Sequence, residues 1–320
     1  MSDGIGTEDV AIILLATYNG QRYLPEQIDS LLAQTHLNLR ILVRDDESTD
    51  ETLTVLSSYV ARYPQKMQLM RGPNLGFVGN FLSLIAAAPR DAAAYFFCDQ
   101  DDIWLPDKVA AAMQRLKEAS GPVLYFGRLT VVDESLQTLQ LSPLISRWSF
   151  GNALLESQAT GCTIAVNPQA MQLLQLARPE AKLIVAHDWW AYLVIIALGQ
   201  VIFDSEPRIL YRQHEQNSLG VARSRLAALR QRWAHLRQGR WGQRRPEPMM
   251  AHFLELYRGS LNPEQVRLIE AVSLHRRGYW APLGLYVKGA IWRRGVLNQI
   301  VLLCMLLFQP MLRRWQTRQT

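Results

Sequence analysis

The sequence predicts an α/β fold, a mostly parallel central sheet followed by a helical, basic and apolar C-terminal segment. Three observations carry this expectation. Short apolar runs alternate with stretches of helical spacing through roughly the first two thirds of the chain. Two of those runs stop at acidic clusters, Asp45-Asp46-Glu47-Ser48-Thr49-Asp50 and Asp99-Gln100-Asp101-Asp102. The charge is also divided, because residues 1–220 carry 16 Lys and Arg against 24 Asp and Glu, whereas residues 221–320 carry 18 against 4. An acidic body is thus joined to a basic tail of the kind that meets an anionic surface.

The run 10–16 is apolar and breaks at Thr17-Tyr18-Asn19-Gly20, which suits a buried first strand ending in a polar loop. Residues 24–32 have helical spacing. The run 39–43 ends at the first acidic cluster, where Thr49 or Asp50 would cap a helix over 51–63, completing a βαβ unit. Residues 67–70 read as a third strand, Gly72-Pro73-Asn74-Leu75-Gly76 as a loop, and 80–88 as a helix. The stretch 95–108 is the centre of the pattern. Tyr95-Phe96-Phe97-Cys98 is an apolar run without charge, as expected of a strand buried on both faces, and Asp99, Asp101 and Asp102 stand at its C-terminal end. A helix over 107–119 follows, then strands over 123–126, 129–132 and 161–166. An apolar helix opens at His187 and ends near Gly199, before strands over 201–203 and 209–211. Right-handed crossovers place the strand ends at Thr17, Asp45 and Asp99 along one rim. Beyond His214, Arg-rich helices are expected to about Tyr257, then two apolar stretches over 279–292 and 296–312.

Clustered carboxylates repel one another unless a cation or hydrogen-bond donors neutralise them, and open α/β sheets bind ligands at the carboxyl ends of their strands. Hard oxygen ligands point to Mg²⁺ or Mn²⁺, usually shared with phosphate. The competing reading has Asp102 cap the helix near Pro106 and leaves the other two aspartates solvated. Cys98, Cys162 and Cys304 lie far apart without metal-ligand spacing, so free thiols in a reducing compartment are expected. Residues 1–10 are polar and acidic where a secretory signal needs a basic start and an apolar core, so export is not expected.

Ala16-Thr17-Tyr18-Asn19, the cluster 45–50, Asn74-Leu75-Gly76 and Asp99-Gln100-Asp101-Asp102, in this order over roughly the first 110 residues, resemble the family-two glycosyltransferases, which share the GT-A fold. The run from Phe97 to Lys108, with His187-Asp188-Trp189-Trp190 and Tyr211-Arg212-Gln213-His214, is most similar to the rhamnosyltransferase-type members. The resemblance implies a GT-A catalytic domain over 1–218, with nucleotide-sugar binding in about 1–110 and the acceptor site and catalytic base in about 111–218. Residues 219–320 would be a helical, basic, membrane-associating region. The implied enzyme is an inverting, metal-dependent glycosyltransferase of cell-surface polysaccharide synthesis. It would take rhamnose from dTDP-rhamnose, or a sugar from a UDP donor, to a saccharide or lipid-linked acceptor.

Residue by residue, the resemblance implies that Thr17, Tyr18 and Asn19 flank the nucleoside and that Asp45 or Asp46 accepts the imide N–H of uracil or thymine. Helix capping is the competing use of that pair. Asn74 and Gly76 would line the nucleoside pocket, although a plain Gly/Asn turn accounts for them as well. Asp101 matches the last aspartate of the family's Asp-X-Asp and is the implied ligand of Mg²⁺ or Mn²⁺. Asp99 would stand on the metal side too, on the ribose or on water held by the metal, and His214 would complete the site. Arg212 would meet phosphate by charge. Asp188 would deprotonate the acceptor hydroxyl, while an Asp before Trp189-Trp190 and an apolar helix is also a normal N-cap. The two tryptophans suit sugar stacking or a core. Glu47 departs from the family's usual Gly, so this turn either avoids positive φ or carries strain.

Rival readings meet specific obstacles. A sugar-nucleotidyltransferase would usually carry a Gly-rich, Lys- or Arg-bearing loop after the first strand, and here Thr17-Tyr18-Asn19-Gly20-Gln21-Arg22-Tyr23-Leu24 stands there. A processive synthase would have several spans and Gln-X-X-Arg-Trp, but before Trp233 the Gln position holds Leu229. A non-catalytic nucleic-acid binder would use the basic tail on phosphates, against which stand the tail's apolar runs. Those runs, broken by Pro282, Lys288, Asn298 and Gln299, fall short of the about 20 residues a span needs. Trp280, Tyr286, Trp292 and the Arg pairs suit an interfacial helix, although a bundle packed on the body would show the same runs. The expectation is a cytoplasmic protein, peripheral on the inner face of the membrane, with an anionic membrane surface and no nucleic acid among its partners.

Overall fold

A computed structural model of the chain describes residues 9–214, 246–273 and 280–316. Strand β1 (Ala11–Thr17) is buried at every residue, as a strand covered on both faces must be. Its side chains alternate between two hydrophobic clusters, Ile12, Leu14 and Ala16 entering one and Ala11, Ile13 and Leu15 the other. Helix α1 (Leu24–Leu32) leads to β2 (Leu39–Asp45), α2 (Thr52–Arg62) to β3 (Met67–Arg71), and α3 (Gly76–Ala87) to β4 (Ala94–Cys98). Parallel pairing joins β1 to β2 on one side and to β4 on the other, with β3 outside β2. The strand order therefore reverses between β1 and β4. That is where the loops of an open sheet part and where its ligands bind.

Past β4 come the antiparallel β9 (Ala165–Val166), then β6 (Val123–Gly127) and the edge strand β10 (Gln200–Asp204), giving the order β10-β6-β9-β4-β1-β2-β3. Helices α1, α2 and α4 (Lys108–Lys117) bury Ile28, Leu56 and Val109 in one cluster, while α3, α6 (Pro168–Ala177) and α7 (His187–Leu198) bury Phe81, Met171 and Trp190 in the other. The GT-A expectation of a mostly parallel sheet between helical layers is met.

Three details refine the sequence reading. Residues 129–132, expected to continue or flank the main sheet, stand outside it together with 209–211. They lie in β7 (Thr130–Val132) and β11 (Ile209–Arg212), which with β5 (Ile103–Trp104) and β8 (Thr138–Leu141) form a second sheet ordered β5-β11-β7-β8. Because β5 follows the acidic turn directly and pairs with β11, this small sheet brings Arg212 and His214 to that turn. Residues 161–166 are not one strand, since Gly161–Thr163 is a 3-10 turn and only Ala165–Val166 pairs. Finally, α3 starts at Gly76, earlier than residue 80, through a positive φ of 72° that glycine takes without cost.

A short α5 (Phe150–Ala153) precedes the 3-10 turn, and the C-terminal helices are α8 (Pro246–Tyr257), α9 (Pro263–Ser273), α10 (Trp280–Val287) and α11 (Val296–Gln316). Helix α8 packs Phe253 edge-on against Trp190 at 5.9 Å between ring centroids, so Trp190 belongs to the core. Trp292, expected as an interfacial anchor, is also buried. Its Nε1 donates to Ser149 Oγ at 3.1 Å and its carbonyl accepts from Asn152 Nδ2 at 3.0 Å. The boundary at 218/219, the Arg-rich helices before residue 246 and the position of Leu229 lie outside the described residues. Cys98, Cys162 and Cys304 are free thiols. Among the described residues no helix is long and apolar enough to cross a membrane.

Candidate active site

The loops after β1, β2 and β3 are bonded into one rim. Thr17 Oγ1 donates to Asp45 Oδ2 at 3.0 Å, and Asp45 also accepts from the Ser48 amide and hydroxyl at 2.9 and 2.6 Å. Asn19, held at φ 48°, accepts the Thr49 amide on Oδ1 at 2.8 Å and donates its own N–H to Ser48 Oγ at 2.9 Å. Asp50 takes the Thr52 amide just ahead of α2, whose N-cap position is Glu51, so it ties down the start of that helix without standing at its cap. Glu47 does adopt positive φ, 67°, and its carboxylate accepts the Asn74 amide at 3.1 Å. That bond fastens the second loop to the third. Asn74 in turn accepts the Gly76 amide at 3.1 Å.

Asp46 is buried and serves a local purpose. Its Oδ1 accepts from Arg44 Nη1 at 2.5 Å and from the Leu75 amide at 2.9 Å, while Arg44 also donates to Asn80 and to the Pro73 carbonyl. Sequence reasoning missed Arg44, whose position inside a strand gave no hint that its charge would be enclosed. It also missed Gln100. Gln100 Oε1 accepts the Tyr18 amide at 2.8 Å and its Nε2 donates to the Tyr18 carbonyl at 3.0 Å, a two-bond clasp across the gap between β1 and β4. Gly20 makes room for it, because a Cβ there would lie 2.2 Å from Gln100 Oε1. The ring of Tyr18 remains exposed beside this clasp.

The acidic turn gathers the expected metal-side residues. His214 Nε2 lies 2.8 Å from Asp101 Oδ2. Burial first, then the neighbouring Asp101 and Asp188 carboxylates, push Asp99 up to about 8. A carboxylate whose charge is disfavoured in this way, next to an Asp–His pair, suits a hard divalent cation such as Mg²⁺ or Mn²⁺. Asp102 is not the helix cap that one reading made it. It is fully buried, its Oδ1 accepts the Arg212 amide at 3.2 Å, and burial with Asp101 and Asp99 nearby holds it well above the usual carboxylate range. Asp99, Asp102 and Cys162 each bring a ligand atom within 4.8 Å of the others, but Asp102 and Cys162 are sealed beneath the turn. They form its floor. Lys108, also buried there, sets its ammonium 3.4 Å from the Trp104 ring centroid, and burial lowers it to about 8.

Arg212, expected on phosphate, is enclosed in the body of the protein. Its Nε donates to the Asp101 carbonyl at 3.1 Å, Nη1 to the Glu134 carbonyl at 2.9 Å and Nη2 to the Glu26 carboxylate, with the guanidinium 4.6 Å from the Tyr23 ring centroid. It braces the acidic turn. A cavity of about 420 Å³ opens against His214 and Asn19, walled by Tyr23, Arg22, Asp50 and Glu134.

Asp188 stands in the first turn of α7, whose N-cap is Ala186, so it is not the capping residue. Its Oδ2 accepts the Gly161 amide at 3.2 Å and its Oδ1 the Trp189 amide at 2.7 Å. Its charge reaches Asp99, so the chain brings the base candidate and the acidic turn into one electrostatic neighbourhood. Trp189 turns its Nε1 to the Ala153 carbonyl at 2.6 Å. His187 is wholly buried, stacked on Phe81 at 3.6 Å between centroids, and neither ring nitrogen has a hydrogen-bond partner. Burial lowers it to about 3.

A sequence model of one family, Glycosyl transferase family 2, matches residues 12–176. Among curated proteins the chain is similar to dTDP-rhamnosyl transferase RfbG of Shigella flexneri, 29% identical over 241 residues that cover 68% of this chain and 80% of that one. It is 24% identical to the succinoglycan biosynthesis protein ExoW of Rhizobium meliloti over 182 residues, 57% of this chain and 52% of that one. Among solved structures it is similar to S. aureus TarS 1-349 in complex with UDP-GlcNAc, at a TM-score of 0.55 and 16% identity, covering 94% of this chain and 81% of that one.

Proposed function

The chain belongs to glycosyl transferase family 2 and is a glycosyltransferase with the GT-A fold, and from that premise we propose that it transfers rhamnose from dTDP-rhamnose to a saccharide or lipid-linked acceptor of cell-surface polysaccharide synthesis. The observation that carries this reading is the acidic turn at the end of β4, where Asp101 pairs with His214 and Asp99 feels the charge of Asp188, together with three interlocked loops at the strand ends. The donor is favoured by the likeness to a dTDP-rhamnosyl transferase over most of both chains. A UDP-sugar is the second reading, since the similar TarS structure holds UDP-GlcNAc.

In this reading Thr17, Tyr18 and Asn19 flank the nucleoside, with Asp45 or Asp46 on the base and Asn74 and Gly76 closing the pocket. Asp101, Asp99 and His214 would hold Mg²⁺ or Mn²⁺, whose charge would neutralise the departing nucleoside diphosphate. Asp188 takes the proton from the acceptor hydroxyl as that oxygen bonds to the anomeric carbon, the bond from that carbon to the diphosphate oxygen breaks, and the configuration inverts. Arg212 acts through the turn, as a positioning residue. Residues 1–218 would be the catalytic domain. Residues 219–320 would hold the enzyme on the cytoplasmic face of the membrane as a peripheral protein.

The test is a donor screen on the full-length protein with dTDP-rhamnose, UDP-hexoses and GDP-mannose, in Mg²⁺ or Mn²⁺. Release of dTDP should exceed that of the other nucleotides and should disappear on chelation and in Asp101→Asn. Formation of pyrophosphate from a sugar phosphate and a nucleoside triphosphate, without transfer, would assign it to the nucleotidyltransferases.

A further inference from the structure

Helix α11 carries two apolar stripes, and the body of the protein uses one of them. Leu302 is buried and Leu306 packs on the core, whereas Val296, Ile300, Cys304 and Leu307 are exposed, the three aliphatic ones at 79%, 52% and 47%. Spacings of four, four and three residues put these positions on one helix face over three turns. Exposed apolar residues are ordinary when scattered singly, and this is a continuous row.

A second exposed apolar strip leads from that helix region to the active site. Between Glu134 and Arg147 the sequence has no charged residue, and Leu139 and Leu144 are 55% and 60% exposed. At one end of the strip the Glu134 carbonyl accepts from Arg212, the brace of the acidic turn. At the other, Arg147 donates to the Gly289 carbonyl at 3.3 Å and sits 4.8 Å from the Trp292 ring centroid, just ahead of α11. Charge selects the occupant. Residues 271–320 contain eight Lys and Arg and no Asp or Glu. An anionic phospholipid surface offers apolar depth and negative headgroups together, and an in-plane helix with this composition is the element that uses both.

We propose that the outward stripe of α11 and the strip 139–148 form one face that lies on an anionic phospholipid bilayer, with the acidic rim beside the lipid surface. This deepens the peripheral attachment proposed above and rests on it, while moving the contact from the buried Trp292 to residues that are bare. A lipid-linked acceptor would then reach Asp188 along the membrane plane.

Sedimentation of the full-length protein with phosphatidylcholine vesicles, with and without phosphatidylglycerol, tests the face. Binding should require phosphatidylglycerol, and Ile300→Glu with Leu307→Glu, or Leu139→Glu with Leu144→Glu, should each weaken it by about tenfold or more. Nucleoside diphosphate binding in solution should be unchanged in both pairs, which separates this face from the transferase reading. Three results would overturn the proposal: no binding by the wild type to anionic vesicles, wild-type binding by both pairs, or a wild-type dimer that the pairs convert to monomer with vesicle binding intact. The last would make the face an interface between copies of the chain.

Discussion

His187 shows how a single residue's environment fixes its chemistry. An imidazole without hydrogen-bond partners, stacked on Phe81 and held neutral down to about pH 3, is one that the unfolded chain would protonate near the ordinary value of 6.5. Between those two values the unfolded state takes up a proton that the folded state refuses, so stability falls as pH falls through that window. His187→Phe keeps the stacked ring and removes the titration. Urea unfolding at pH 7 and pH 5 should show wild type losing more stability on acidification than the variant, and equal losses would mean that His187 is not the neutral buried group described. At this scale the sequence was legible where residues carry charge at strand ends. Asp101 pairs with His214 and Asp99 feels the charge of Asp188, because each of these residues terminates or opens an element. Gln100 and Gly161 were not legible, since a neutral side chain or a bare amide becomes functional only through a contact with Tyr18 or Asp188 far away in sequence.

Elements were legible in proportion to their burial. Strands β1 and β4 are covered on both faces and appear as runs without charge, so the sheet's centre could be read directly. The two-residue strands β5 and β9 have no period to read, and the second sheet depends on pairing β5 with β11, more than a hundred residues later. That missing sheet explains the misreading of Arg212. By charge it suits phosphate, but Glu26, the Asp101 carbonyl and the Glu134 carbonyl surround it once β11 is in place. The strand-end pair Arg44–Asp46 makes an equivalent join between the second and third loops, with both side chains nearly inaccessible. Asp46→Ala should therefore cost about 3–5 kcal/mol in denaturant unfolding, because it leaves the Arg44 charge enclosed without its partner. A loss below about 1 kcal/mol, the range of exposed ion pairs, would show that water reaches Arg44.

At the scale of the whole molecule, the acidic body and the basic tail are not separate objects. Helix α8 closes the core over Trp190, and Arg293 and Arg294 meet Glu156 of the body through a side chain and an amide. The sequence showed the charge division but not this packing, because the same apolar residues serve a core or a lipid surface until their burial is known. The inverting transfer proposed for this GT-A body, with Asp188 as its base, is open to one direct measurement. The rate of rhamnose transfer from dTDP-rhamnose should be compared for wild type and Asp188→Asn at saturating donor, with donor affinity measured alongside. With Asp188 as the base, donor affinity should be unchanged and the rate lowered by roughly 10²–10⁴, the loss typical of an absent general base. An Asp188→Asn enzyme that transfers rhamnose at the wild-type rate would contradict that role.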